Sequence, residues 1–331
     1  MDAEQTAETP KRGRDLALMG GLLALVVVGL VGAAAATGWK ETLDQVARLT
    51  LWQVAALLGL SLVNYGLRGG RWHLFARHLG LNVRLSDSLR HFLGGFAMTV
   101  TPGRVGELVR MRWLKRETGW AFERTAPLVL VDRASDLAAM AVLMGAALVS
   151  SGTAIKGGFP VALLALIAAF VATRPRLLAG LARLGHRATG RLPRLFAKVR
   201  RAARSLDPFA RGGTLFVGST LALAGWLAEG VAFYLLLHWM GAEVSVATAI
   251  AIFLFSTLAG GLTGAPGGVG GAEAAMVALL SVQGVPLAMS VPATAIIRLT
   301  TLWFAILIGL IVFPFAENQS KKSQTHGLEN A

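Results

Sequence analysis

The chain has 331 residues, of which 54% are hydrophobic and 15% charged, and its formal net charge is +14. A soluble domain carries about 25% charged residues, so the composition argues against a sizeable soluble domain. The chain has no cysteine, which excludes disulfides and thiolate metal sites. The positive charge lies between apolar runs, where it indicates membrane topology and contact with anionic lipid rather than nucleic acid.

Six apolar runs approach the ~20 residues that a helix needs to cross a bilayer, and each predicts a full span. Polar tails are predicted at residues 1–15 and 315–331, with one membrane domain at 16–314 between them. The sequence therefore predicts an all-α polytopic membrane protein. Its predicted spans lie at about 16–36, 51–67, 126–150, 158–173, 213–238 and 291–314.

Two further apolar stretches, 91–109 and 247–283, are interrupted by glycine and proline. Each contains a Pro-Gly pair, Pro102-Gly103 or Pro266-Gly267, which a straight helix resists because proline lacks the backbone N–H. Broken backbone at membrane depth persists only inside protein or beside water. Both stretches are predicted to be broken or re-entrant helical elements.

Basic residues are concentrated in three segments, 68–90, 110–124 and 174–211. The positive-inside rule places these segments, and with them both termini, in the cytoplasm. The two broken elements then enter the membrane from opposite faces. In 174–211, leucines recur at three- and four-residue steps opposite arginines, which predicts either an interfacial helix on anionic lipid or a solvated loop that only enforces topology.

The two broken elements also share a sequence pattern. Segment 99–106 aligns with 263–270, and each is followed by an arginine, Arg133 or Arg298, that lies 31 or 32 residues after the proline. Together with the opposed topology, this predicts an inverted repeat, an organisation typical of transporters. The two halves of the predicted repeat are about 91–150 and 247–314.

The Pro-Gly segments predict two helix starts that could hold an anion. A helix start presents free N–H groups and the positive end of the helix dipole. The alternative is a glycine-rich contact that lets helices pack tightly. The candidate substrate-binding residues are Pro102, Gly103, Arg104, Gly106 and Glu107 in the first half, and Pro266, Gly267, Gly268, Gly270 and Glu273 in the second.

Three charged residues, Arg133, Asp136 and Arg298, lie inside apolar spans and are further substrate-binding candidates. A charge at that depth costs at least ~2.5 kcal/mol on insertion scales, so it is expected to face the bundle interior. A lipid phosphate would satisfy an arginine with bidentate geometry. The alternative for Arg133 is a structural pair with Asp132 or Asp136.

Arg298 has no acid near it in sequence. It therefore needs either a ligand phosphate or a carboxylate from another helix, for which the candidates are Glu107, Asp136, Glu229 and Glu273.

Arg71 lies beside Trp72, and the pair predicts either a contact with a lipid headgroup or an ordinary anchor at the membrane interface. The scattered histidines give no support for a metal site, and the sequence suggests no cofactor.

Four motifs in order resemble one family. They are Pro102-Gly-Arg-Val-Gly-Glu107, Val131-x-Arg133-x-x-Asp136, Gly267-Gly-Val-Gly-x-x-Glu273 and Ile297-Arg298-Leu-Thr-x-x-Trp303. They resemble the flippase-like membrane domain of the lysylphosphatidylglycerol synthase family, over roughly residues 15–314. The resemblance implies movement of a polar-headgroup lipid between leaflets. The family's soluble aminoacyl-transfer domain has no counterpart here, so the synthase activity is not implied.

These observations predict a lipid translocase, and not an enzyme, in a bacterial-type cytoplasmic membrane, with anionic membrane lipids as partners. No ATP-binding motif is found, so transport would run downhill or couple to an ion, with Asp136, Glu107 or Glu273 carrying protons. One alternative is an integral-membrane enzyme acting on a lipid-linked substrate. Another is a non-transporting scaffold for a lipid pathway. Further predicted partners are a second copy of the chain or a pathway enzyme.

Overall fold

The structure is a computed structural model. It describes residues 44, 47, 49–99, 101, 105–151, 155, 157–189, 206, 209 and 212–329. The predicted first span at 16–36, the N-terminal tail, Pro102–Arg104 and most of the second half of the basic segment lie outside the described residues. Every regular element in the described ranges is helical, which confirms the all-α prediction.

The α-helices are numbered here in chain order. They are interrupted by two 3-10 turns, Gly95–Met98 and Pro266–Gly268, and by one π-helical turn, Leu299–Trp303. The α-helices are α1 Leu51–His78, α2 Leu85–Gly94, α3 Val105–Thr118, α4 Phe122–Ser151, α5 Gly158–Thr173, α6 Pro175–Thr189, α7 Gly212–Trp239, α8 Val246–Leu262, α9 Gly271–Val282, α10 Leu287–Arg298 and α11 Phe304–Glu329.

Three helical segments in the described part of the chain are long and apolar enough to cross a membrane. They are Phe122–Ser151, Gly213–Trp239 and Leu287–Gln324, and they confirm three of the predicted spans. The predicted span at 158–173 qualifies only as a bent pair with the helix that follows it. The prediction of six full spans is thus not confirmed. Helix α1, which contains the predicted span at 51–67, is not among the three, and its buried residues include the polar side chains of Asn64 and Arg68.

The first broken element is built from α2, the 3-10 turn and α3. Its helices extend beyond the predicted stretch of 91–109, to Leu85 at one end and to Thr118 at the other. Part of the basic segment 110–124 is therefore helical and packs inside the protein, with Trp113 completely buried. The structure bears out a break in the helix between α2 and α3, although the side from which the element enters the membrane stays a prediction.

The second broken element, 247–283, is a pair of short apolar helices, α8 and α9, that pack against each other. Gly268 lies between them, where a Cβ would sit 3.1–3.4 Å from the backbone of Gly260. Gly268 also has a positive φ of 70°, a conformation that glycine adopts readily. Close backbone approach and left-handed geometry both explain glycine at this position.

The second element begins its return helix later than predicted. Pro266 lies in the 3-10 turn, and helix α9 starts at Gly271 with Gly270 as its N-cap. The N–H of Gly270 donates to the Glu273 carboxylate over 2.6 Å. The sequence predicts free N–H groups at this helix start that could bind an anion. One of these groups, the N–H of Gly270, is instead bound to the carboxylate of Glu273.

The basic segment begins as an amphipathic helix. Helices α5 and α6 are bent by 100° at their junction, so α6 runs almost perpendicular to the preceding apolar helix. Leu177, Leu181 and Leu184 are exposed along α6. This geometry fits a helix that lies in the plane of a membrane surface, as predicted for an interfacial element.

The predicted C-terminal tail, 315–331, is helical as far as Glu329 and continues α11. The Glu317 carboxylate anchors it to α3, because it accepts from Arg112 over 2.6 Å, from the Trp113 indole over 2.8 Å and from Arg116 over 2.8 Å. These long-range contacts hold the predicted polar tail against the first broken element.

Membrane sidedness is tested by cysteine labelling, since the chain has no cysteine of its own. We expect single cysteines at Ser151 and Glu243 to react with an impermeant reagent on intact cells, and a cysteine at Thr118 to be protected. The reason is that basic segments remain in the cytoplasm. Labelling of the Thr118 variant from outside would contradict both the topology and the inverted repeat.

Candidate functional site

The helices bring ten charged side chains together in the interior of the bundle. We call this group the buried charge cluster. Pairs of its members make contact, and the pairs lie within electrostatic range of one another. Among the described residues, its members are Arg68, Arg71, Arg110, Arg133, Arg298, Glu107, Asp132, Asp136, Glu229 and Glu273.

Asp136 on α4 lies at the centre of the cluster. Its two carboxylate oxygens are 2.9 Å from the Arg68 guanidinium and 2.9 Å from that of Arg71, both on α1. The indole N–H of Trp226, on α7, donates to the same carboxylate over 3.1 Å. Asp136 thus joins three helices through charged and polar contacts in a place where water is scarce.

Arg71 is the most deeply buried arginine of the cluster, with 0% of its side chain exposed. It donates to the Asp132 carboxylate over 2.5 Å and to the Asp132 backbone carbonyl over 3.1 Å. The sequence offered an interfacial anchor or a headgroup contact for this residue. The structure places it inside the protein, between two carboxylates, which explains how its charge is tolerated there.

The two arginines of the predicted repeat make equivalent pairs. Arg133 donates to Glu107, 26 residues before it, and Arg298 donates to Glu273, 25 residues before it, over 2.6 Å. Each arginine therefore closes onto the acid that follows the Pro-Gly pair of its own half. This shared pairing supports an internal repeat in sequence and contacts, whereas its inverted orientation stays a prediction.

Arg298 also holds the turn of the second broken element. Its guanidinium donates to the Gly267 carbonyl over 2.9 Å, in addition to the Glu273 contact. Of the candidate partners for Arg298, the structure selects Glu273, so a ligand is not needed to offset its charge. The π-helical turn that starts at Leu299 lies directly beside Arg298, and Tyr65 on α1 donates to the Thr301 carbonyl within it. Such π-helical turns recur at functional sites.

The Arg133–Glu107 pair is the most open part of the cluster. The Arg133 side chain is 32% exposed and that of Glu107 is 18% exposed, and Arg133 also lies 3.7 Å from Asp136. Gly106, beside Glu107, packs so closely on the Gly95 carbonyl that a Cβ would be 2.4 Å from it. Glycine at position 106 therefore allows two backbone segments to pack closely. The neighbouring Arg133–Glu107 pair is the part of the cluster that is most exposed at the protein surface.

Two members of the cluster have no partner of opposite charge in direct contact in the described part of the chain. Glu229 on α7 is buried and makes no hydrogen bond or contact ion pair there, although it lies within electrostatic range of Arg68, Arg298 and Asp136. The second member is Arg110 on α3, which is also buried and has no contacting carboxylate among the described residues. From sequence, Arg110 is one of the basic residues of segment 110–124 that set topology, because that segment is strongly charged.

The cluster shows no arrangement suited to a metal ion. No group of three or more histidines or acids with that capacity is found among the described residues. The ten charged groups lie among apolar helices, where ionisable side chains are rare.

Comparison with known proteins gives the family. The family described as "Lysylphosphatidylglycerol synthase TM region" matches residues 18–309, which is most of the chain. The chain belongs to this family. The predicted resemblance is thereby confirmed, and all of the cluster residues lie within the matched range.

Two matches to curated relatives agree with this. Both are called "UPF0104 membrane protein", from Methanothermobacter thermautotrophicus (strain Delta H). One match is 34% identical over 108 residues, which is 33% of this chain and only 31% of the relative's length. The other is 24% identical over 320 residues, covering 88% of this chain and 94% of the relative. The chain is therefore similar to a UPF0104 membrane protein over 88% of its length.

Proposed function

We propose that this chain is a lipid translocase, or a subunit of one, for lipids with a phosphate-bearing headgroup. The buried charge cluster carries the proposal. It places ten ionisable side chains inside a bundle whose outward faces are apolar, with Phe216, Leu163 and Ile311 among the exposed residues. A headgroup can cross a membrane along such a polar interior while the acyl chains stay in lipid.

The two broken elements explain how the cluster is reached. Helices that end inside the membrane are tolerated where they line a cavity or are buried in protein. The pairs Arg133–Glu107 and Arg298–Glu273 each link the broken element of one half to the helix that follows it. A headgroup that binds beside these pairs would change their electrostatic surroundings, and this would couple binding to movement of the broken elements.

The membrane environment belongs to the same proposal. The chain would lie in a bacterial-type cytoplasmic membrane with its basic segments facing the cytoplasm. Helix α6 would rest on the anionic surface of that leaflet, where each lysine or arginine contributes about 1 kcal/mol of attraction. Transport would run downhill or couple to an ion, since the sequence contains no ATP-binding motif.

The first test is the identity of the bound lipid. The full chain is extracted in a mild detergent and measured by native mass spectrometry. We expect adducts whose masses match lipids with a phosphate in the headgroup, since this is the group that arginine binds with bidentate geometry. Adducts of phosphate-free lipids alone would contradict the proposed substrate class.

A further inference from the structure

Arg110 is the one arginine of the buried charge cluster whose charge is not balanced by a contacting carboxylate in the described ranges. The residue is 4% exposed, its Nε atom is buried without a hydrogen-bond partner among the described residues, and none of these residues forms an ion pair with it. The other four arginines each contact at least one of Glu107, Asp132, Asp136 and Glu273. A buried, unpaired charge is unfavourable unless something else fills the role of partner.

Three aromatic rings surround the Arg110 guanidinium. Its Cζ atom lies 4.4 Å from the ring centre of Phe92, 5.5 Å from that of Trp72 and 5.8 Å from that of Phe96. Aromatic faces attract a cation, but they offer no oxygen to accept the N–H groups of a guanidinium. The rings therefore hold the group in place and leave its hydrogen-bonding capacity unused.

The backbone fixes the same group from the other side. A Cβ added at Gly95 would lie 2.1 Å from the Arg110 Nε atom, so the guanidinium rests directly on the glycine. Arg110 is thus closely packed before any ligand arrives. Preorganisation of this kind lowers the entropy that a ligand must lose on binding.

The second half of the predicted repeat has an apolar residue at the position that corresponds to Arg110. Arg110 follows Glu107 by three residues, and the residue that follows Glu273 by three is Met276. Met276 is completely buried in the apolar core. An apolar side chain therefore fills the equivalent place, and the charge of Arg110 points to a ligand rather than to packing.

We infer that Arg110 is the phosphate-binding residue of the site and that the phosphate is part of a lipid headgroup. This inference rests on the proposed function and adds the residue that recognises the substrate. Arg110 lies within electrostatic range of Arg133 and Glu107, the most exposed pair of the cluster, so a headgroup phosphate that enters there would be attracted by its charge. Its partner oxygens are supplied by the phosphate, in a charge-assisted contact.

The test compares the wild-type chain with R110M, which installs the residue of the second half. Purified protein in detergent is titrated with dioleoylphosphatidylglycerol, with dioleoylglycerol and with inorganic phosphate, and the Tm is followed. Loss of a charged hydrogen-bond partner should weaken phospholipid binding by about tenfold to a hundredfold. The lipid-free R110M protein should have a higher Tm than the wild type, because an unpaired buried charge is removed.

Two further variants make the test specific. R112M removes another arginine of helix α3. The side chain of Arg112 is 43% exposed and pairs with Glu317, so the phospholipid affinity of R112M should equal that of the wild type. G95A keeps the charge of Arg110 but displaces the guanidinium, so it should weaken binding as R110M does. Should R110M fail to fold, the expected gain in Tm would be contradicted, and G95A alone would then decide the binding role.

The remaining outcomes separate the inference from the proposed function. A wild-type protein that responds equally to phospholipid and dioleoylglycerol would overturn both. A wild-type protein that prefers phospholipid, with R110M showing the same preference and a lowered Tm, would overturn only the role of Arg110 and make it a structural cation held by aromatic rings. A response to inorganic phosphate as large as that to phospholipid would overturn the lipid as the source of the phosphate.

Discussion

Replacing Asp136 by asparagine should destabilise the protein by about 3–5 kcal/mol, because it breaks a buried ion pair from one side. Asparagine keeps the size of the side chain and removes its charge. Arg68 contacts no other carboxylate among the described residues, so its charge would be left buried and alone. Arg71 would still keep Asp132. The free energy of unfolding in detergent, measured by chemical denaturation, checks this expectation.

D87N is the matched control for this variant. Asp87 also contacts two arginines, but Arg84 is 83% exposed and Arg90 has a second partner in Glu117. An ion pair of this kind contributes about 0–1 kcal/mol, so D87N should change stability little. A second variant, D136N combined with R68M, should recover part of the loss because it removes the stranded charge. Equal stability of D136N and the wild type would contradict the central place of Asp136.

Replacing Arg298 by glutamine should destabilise the protein by about 3 kcal/mol, since Glu273 loses its partner and the Gly267 carbonyl loses a donor. E273Q should have a similar effect. The two changes should not add, and the interaction energy of the pair in a double-mutant cycle should be about 0.5–3 kcal/mol. We expect the folded fraction of R298Q to keep its affinity for phospholipid, because Arg298 already has a protein partner.

R133Q is the internal comparison for Arg298. R133Q would leave Glu107 without its contacting arginine. Arg133 is nevertheless more exposed than Arg298 and, among the described residues, holds no backbone carbonyl, so the loss of stability should be smaller than for R298Q. A fully stable R298Q with weakened phospholipid binding would contradict the structural role. It would place Arg298 among the residues that bind the ligand and would weaken the argument for Arg110.

The broken helices could be predicted from sequence because proline and glycine act locally. The pair Pro266-Gly267 interrupts an apolar run, and the structure shows two short helices on either side of it. The exact start of the return helix at Gly271 could not be predicted. It depends on the positive φ of Gly270 and on the Glu273 carboxylate that caps it, which are features of the folded turn.

The partners of the repeat arginines were predicted only in part: Glu273 was among the candidates for Arg298, whereas the pair predicted for Arg133 was with Asp132 or Asp136, and Glu107 is the residue that it contacts most closely. The similar spacings of Glu107 to Arg133, 26 residues, and of Glu273 to Arg298, 25 residues, are visible in the printed chain, and both pairs form. The spacing alone did not choose between Glu273 and the other acids available to Arg298. That choice follows from the packing of α9 against α10.

The centre of the cluster could not be predicted. Arg71 and Asp132 are 61 residues apart, and Arg68 and Asp136 are 68 apart, so their contacts depend on how α1 packs against α4. A basic segment next to an apolar run usually lies at the membrane surface. The expectation of surface anchors near Arg71 and of topological charges near Arg110 followed this rule, whereas tertiary packing draws both residues inside.

The most direct test of the account is lipid translocation by the purified full chain. Liposomes are made with trace phosphatidylglycerol that carries a fluorescent headgroup label in both leaflets, and a membrane-impermeant reductant then quenches the label it can reach. With the wild-type protein, we predict quenching beyond the outer-leaflet pool, with the lipid recovered chemically unchanged. Liposomes with R110M should lose only the outer pool, as protein-free liposomes do. Quenching by the wild type that equals the protein-free level, or recovery of a chemically altered lipid, would contradict the account.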